Sequence, residues 1–203
     1  LENVMPATRR SLLGPWVGTL VVVSLALAAL DARAGGNDQT VVVRGALVNG
    51  AVGIARANMS VASTHGDVSG GNKQTVTIRG AVVNAAAGVA SAETNLASVG
   101  GSVRGSNNQS ASVRGAVVNA AAGGASAETN LASVGGSVRG GNSQAAVVNG
   151  TVLNAAALGA RAEVNIASRR GSVGGNRQTA VVGGSVVNAA ALGRVSVVNI
   201  GSD

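Results

Sequence analysis

Apolar and polar side chains alternate with period two in short runs along this chain, and the runs recur about every 35 residues. Counted from a Gln near the start of each recurrence, apolar residues stand two and four places on: Val41/Val43, Val76/Ile78, Ala111/Val113, Ala146/Val148 and Ala180/Val182. The places between hold Val42/Arg44, Thr77/Arg79, Ser112/Arg114, Val147/Asn149 and Val181/Gly183, most of them polar. That alternation predicts a strand with one face turned inward. The recurrence is marked by Asn-x-Gln, at Asn37/Gln39, Asn72/Gln74, Asn107/Gln109, Asn142/Gln144 and Asn176/Gln178, with spacings of 35, 35, 35 and 34 residues. A period in this range is the signature of a solenoid or stacked array.

Ten residues after each Gln comes a second Asn, at Asn49, Asn84, Asn119, Asn154 and Asn188, on the inward parity if the strand continues. The residue before it is always aliphatic (Val48, Val83, Val118, Leu153, Val187) and lies on the opposite parity. Either the strand bends at the small residue a few places earlier or it is covered on both faces. A third Asn recurs at Asn95, Asn130, Asn165 and Asn199, with Ser60 in the first copy. Each cassette therefore divides into about three short strands, each introduced by an Asn. The Ala-rich piece between the second and third Asn, as in Asn84 to Glu93, competes between helix and strand. Ala favours helix, but Gly88, Gly123, Gly124, Gly159 and Gly193 interrupt the run, which favours strand and corner. The predicted fold is all-β: a β-solenoid of five stacked repeats (36–70, 71–105, 106–140, 141–174 and 175–203) with three-strand or Greek-key-like rungs.

Stacking explains the residue choice. One cassette cannot offset a backbone ordering cost of about 1–2 kcal/mol per residue with a few Val and Ala side chains buried at roughly 25 cal/mol/Å². Copies in register let every strand pair above and below, put Val on Val, and let each Asn or Gln amide donate to the equivalent amide of the next copy. An inward amide that would be costly alone is then satisfied by its own repeat. The same stacking makes outward ladders of like charge from Glu93/Glu128/Glu163 and Arg79/Arg114. The last copy runs through Val197-Val198-Asn199-Ile200 with no capping pattern, and the first is divergent but also uncapped. Two uncovered edges are templates for further strands.

Composition agrees with flat, small-residue layers. There is no Phe, Tyr or Cys, the only Trp is Trp16, and 31 Gly accompany 2 Pro. Cysteine-based metal sites and disulfides are thereby excluded. Before the repeats, residues 1–34 read as an export signal: Arg9 and Arg10, an apolar run from Leu12 to Leu30, and Ala32-Arg33-Ala34 as a cleavage site, with residues 1–4 an upstream extension of the reading frame. The competing reading is an uncleaved membrane anchor, interrupted at Gly14-Pro15. Cleavage would leave residues 35–203 as the mature repeat domain, secreted or held at the cell surface.

These features together resemble the bacterial functional amyloid subunits, the curlins and Fap-type fibrillins. Gly71-Asn72-Lys73-Gln74 and Val82-Val83-Asn84-Ala85-Ala86-Ala87 look most like the Fap repeats, in which a Gly/Asn/Gln-rich turn adjoins a Val-Asn-Ala-Ala strand. The chain departs from that pattern in having no long linkers between repeats and no Cys-x-x-Cys. The resemblance implies a secreted structural protein that polymerises into cross-β fibres for a biofilm matrix or for adhesion, with a second copy of itself as partner.

The net charge of +7 supports a different class, an adhesin binding anionic polysaccharide or extracellular DNA through Arg79, Arg114, Arg104, Arg139 and the pair Arg169-Arg170. Without aromatic residues in the repeats, such contacts would be electrostatic and salt-dependent. For an enzyme, the acids Asp38, Asp67, Glu93, Glu128, Glu163 and Asp203 offer one repeat-related ladder and isolated groups rather than a clustered site. No catalytic residue, cofactor, metal or small-molecule substrate is expected.

Overall fold

The computed structural model describes residues 36–53, 56–89, 91–124, 126–157, 161–191 and 195–202. The proposed signal at 1–34 lies outside them. Within them the first coil comprises β1 (Gly36–Val43), β2 (Leu47–Gly53) and β3 (Arg56–Val61), and the second β4 (Gly71–Ile78), β5 (Val82–Gly88) and β6 (Ser91–Leu96). The third is β7 (Asn107–Arg114), β8 (Val117–Ala122) and β9 (Ser126–Leu131). The fourth is β10 (Val138–Asn149), β11 (Val152–Ala156) and β12 (Arg161–Ile166), and the fifth β13 (Val173–Val182), β14 (Val186–Ala190) and β15 (Ser196–Ile200).

Every third strand pairs, always in parallel, giving three five-stranded sheets: β1-β4-β7-β10-β13, β2-β5-β8-β11-β14 and β3-β6-β9-β12-β15. The chain is a β-solenoid with three-strand rungs, one cassette to a turn. Four full turns separate the first strand of each sheet from its last. A Greek-key rung is ruled out among the described residues, because each strand pairs only with the same strand of the neighbouring coils. The alanine tracts are strand and corner, and no helix occurs among the described residues.

Register follows the repeat residue by residue. Asn72 pairs with Asn107, Gln74 with Gln109, Val82 with Val117 and Ala92 with Ala127. On β4 the side chains of Asn72, Gln74, Val76 and Ile78 are buried, while Lys73, Thr75 and Thr77 face outward. The chain bends at 79–81, yet the alternation continues through the corner, so Val82, Asn84 and Ala86 are again inward. Val83, Val118 and Leu153 therefore lie on the outer face, half-buried, and Val48 is 62% exposed. The second sheet is not covered on both sides. Its outer aliphatics gain β propensity and stack on each other, which suffices for a pleated outer face.

The core is columnar. Val76, Ile78, Val82, Leu96 and Ala97, with their equivalents in other coils, form the main apolar column. Ala86 and Ala92 with their copies form a second, in which the second and third sheets face each other through methyl groups alone. A third, of Val68, Val99, Val103, Val134 and Val138, runs through the arm that returns each coil to the next. Isolated parallel bridges such as Val99↔Val134 and Val103↔Val138 align the arms.

Corners carry their own columns. Gly53, Gly88 and Gly123 stack with φ near +100° (100°, 102° and 97°), and a Cβ on Gly88 would run into the backbone carbonyl of Gly53. Ala62, Ala97, Ala132 and Ala167 also take positive φ, between 43° and 50°, where glycine is the usual choice. The methyls of Ala97, Ala132 and Ala167 are fully buried against the main column, and that packing offsets the backbone strain. Gly88→Ala should lower unfolding stability by about 2 kcal/mol through strain and collision. Gly124→Ala, with nothing within 4 Å of its would-be Cβ, should change it little; urea denaturation compares the two.

Candidate functional site

Three side-chain amide ladders run the length of the stack and a fourth runs from the second coil to the fifth. In the first, Asn37 donates to Asn72 at 2.7 Å, Asn72 to Asn107 at 2.6 Å, Asn107 to Asn142 at 2.7 Å and Asn142 to Asn176 at 2.8 Å. The second runs Asn49 to Asn84, Asn119, Asn154 and Asn188 at 2.8–2.9 Å. Both donate toward the C-terminal coil. The Gln ladder donates the other way, from Gln178 to Gln144, Gln109, Gln74 and Gln39 at 3.0–3.3 Å. So does the third Asn ladder, from Asn199 to Asn165, Asn130 and Asn95 at 2.8–2.9 Å.

The ladders also join sheets. Asn119 donates to the carbonyls of Ala92 and Glu128 on the third sheet, and its Oδ1 accepts from Asn84 and from the Thr94 hydroxyl. The second ladder thus ties the second sheet to the third within a coil and across to the coil before. The Gln ladder ties the first sheet to the return arm, Gln109 to the Ser133 carbonyl and Gln144 to the Ser168 carbonyl. Parity and spacing in the sequence identify the ladder positions, but not these cross-links. A serine column missed at the sequence level supports the arm: the hydroxyls of Ser98 and Ser133 bond the carbonyls of Leu96 and Leu131 in their own coil and those of Asn130 and Asn165 in the next. Its signal is the Ser that recurs three places after the third Asn.

The third Asn does not introduce its strand. Asn95 is the fifth residue of β6, on the outward face with Glu93, and Asn84 is the third residue of β5. The left-handed turn at Ala97 swings the return arm outward, and the outer face of the third sheet and the arm enclose a groove along the stack. Glu93, Asn95, Ser98 and Gly100 line it, with their copies in the next coils. The Glu ladder is therefore not simply on a solvated face. Asn95 donates to Glu93 at 2.6 Å, Asn130 to Glu128 at 2.9 Å and Asn165 to Glu163 at 2.9 Å. Glu163 alone is also held by two cations, Arg161 at 2.7 Å and Arg170, and it is 3% exposed. Arg170 has no counterpart arginine in the other coils and Arg161 recurs only as Arg56 in the first, so periodicity gives little sign of the pair.

The arginines do not make one stripe. Arg44, Arg79 and Arg114 form an exposed column at the corner after the first sheet. Arg104 and Arg139 form a second at the end of the arm. Arg169 stacks on Val134 rather than on another arginine, and Arg170 is engaged by Glu163. Lys73 and Asp38 form an exposed pair at 3.7 Å, which contributes little. Among the described residues no group of three or more His, Cys, Asp or Glu could hold a metal ion, and no helix is long and apolar enough to cross a membrane.

The outermost strands, β1, β2 and β3 at one end and β13, β14 and β15 at the other, pair on one side only among the described residues. Core positions are open there: Val198 and Ile200, inward in the repeat, are 45% and 43% exposed. Val43, Leu47 and Val61 are only partly buried at the opposite end.

Asn119→Ala should destabilise the chain by at least ~3 kcal/mol, since it strands several buried partners at once. Asn49→Ala, at the half-exposed end of the same ladder, should cost about 1 kcal/mol; chemical denaturation of both variants gives the comparison. Set against protein-family models, curated proteins and solved structures, the chain matches none.

Proposed function

We propose that this is a secreted structural protein that polymerises head to tail into a cross-β fibre, serving a biofilm matrix or surface adhesion. The observation that carries this reading is the match between the two open ends. If the fifth coil of one copy seats on the first coil of the next in the same register, Asn176 meets Asn37, Gln178 meets Gln39 and Asn188 meets Asn49. Val182 meets Val43, Val186 meets Leu47 and Ile200 meets Val61. Amide falls on amide and aliphatic on aliphatic, as inside the stack. The two Asn ladders that donate toward the C-terminal end would continue into the next copy without a change of direction, and so would the Gln ladder in reverse. The mismatches lie on the third sheet, where Asn199 falls on Ser60, Val197 on Asn58 and Ser196 on Ala57.

The physical drive is the pairing of exposed strand edges together with closure of the open apolar columns. A monomeric solenoid with the same fold is the alternative that the test separates. The mature chain, refolded, is expected to give thioflavin-positive filaments by negative stain. Fibre diffraction should show an axial rise of about 24 Å per molecule, five rungs at roughly 4.8 Å. A persistent monomer on size exclusion would overturn the reading. Val198→Lys with Ile200→Lys, placing two charges on the open end, should hold the chain monomeric while leaving its circular dichroism that of a β protein.

A further inference from the structure

We infer that the groove on the third sheet is a lateral docking site for a second copy of this chain, receiving Arg79 and Arg114 of the neighbour on Glu93 and Glu128. The inference rests on the fibre reading, since it describes how stacks lying side by side would adhere.

The repeat supplies its own comparison. In the fourth coil the groove carboxylate, Glu163, is met by Arg161 and Arg170 as well as by its Asn neighbour. The position of Arg161 is taken by Ser126 in the third coil and Ser91 in the second. Arg170, whose amide bonds the Val134 carbonyl, is replaced by Gly135 and Gly100, whose amides make the equivalent bonds to Val99 and Thr64. Glu93 and Glu128 are thus the same half-enclosed carboxylate in the same groove with both cations removed. Each keeps one amide donor, Asn95 or Asn130, and has no basic partner among the described residues. In the first coil the acid itself is absent, since Asn58 pairs with Glu93. The unmatched charge is confined to two adjacent coils.

The exposed column of Arg44, Arg79 and Arg114 crosses those same coils. Arg79 belongs to the second coil and Arg114 to the third, both exposed at the corner after the first sheet, and neither has an acidic partner among the described residues. Arginines and glutamates are both repeated at one strand spacing, about 4.8 Å. Two copies lying level with parallel axes therefore bring Arg79 to Glu93 and Arg114 to Glu128 together, with no axial offset. A guanidinium can bond a carboxylate in two-pronged fashion, so the Oε atom that the Asn leaves open can be used. The surfaces differ, a corner on one copy and a groove on the other. The contact is heterologous, and it repeats from copy to copy into a bundle instead of closing a dimer.

The test uses filaments of the mature chain and two variants, Glu93→Gln/Glu128→Gln and Arg79→Gln/Arg114→Gln. Gln at 93 and 128 keeps the acceptor for Asn95 and Asn130. Wild-type filaments are expected to bundle at low salt and to separate near 1 M NaCl, where the screening length is about 3 Å. Each variant alone should form single filaments of unchanged width, with bundles in electron micrographs reduced at least tenfold. Preformed filaments of the two variants, mixed, should adhere as doublets, because one retains the corner and the other the groove. Bundling that persists in Glu93→Gln/Glu128→Gln, or that depends on an added polyanion instead, would overturn the inference, and so would a mixture that stays single. Should the chain form no filaments, axial assembly fails by itself. The variants are then compared by sedimentation at low salt, where a lateral oligomer appearing in wild type and in the mixture supports the groove, and its absence from both refutes it.

Discussion

A primary amide buried away from water must place two N–H groups and a carbonyl at once, and Asn119 does so by using one equivalent residue above it, one below it and two carbonyls on adjacent strands of the facing sheet. That requirement fixes the stack. Slipping a strand by one residue would move Asn119 to the outer face and put a methyl or an isopropyl group against the amides of Asn84 and Asn154, stranding both. On β8 the residues beside the inward set, Val118 and Ala120, are themselves apolar, so aliphatic character alone specifies this register weakly. The amides supply the specificity that small apolar side chains cannot.

The remaining geometry follows from holding that register on every rung. Coils that superpose must turn their corners in the same place and by the same dihedrals, so turn residues stack as strictly as strand residues do. At Gly88 the backbone of one coil lies where a side chain of the next would have to be, and glycine is required. At Ala97 the turn is left-handed but its methyl points into the core, and alanine fills space that glycine would leave empty. The same left-handed turn opens the angle between the third sheet and the arm, so the groove is a by-product of how the rung closes.

Much of this was legible in the chain. The 35-residue period, the inward parity of Gln74, Val76, Ile78 and Asn84, and the strand in the alanine tract all follow from spacing and alternation. What lay outside reach has physical causes. The placing of Val83 on the outer face depends on the corner at 79–81 preserving alternation, and a dihedral path is not a pattern of letters. The outward position of Asn95, under the arm, depends on the sign of φ at Ala97, to which alanine gives no clue. The Arg161–Glu163–Arg170 cluster breaks the repeat, so the method that finds the ladders is blind to it. Recurrence at 35 also says nothing of where on the cross-section a column lies, so Arg79/Arg114 and Arg104/Arg139 separate only in three dimensions.

The ladders differ in sense, two donating toward one end and two toward the other. Each amide carries a dipole, and a single-file run of them would build up an electric moment that grows with every coil added. Two files pointing up and two pointing down leave the moment near zero at any length. A stack of any length therefore presents no strong net charge of either sign at its ends from these files.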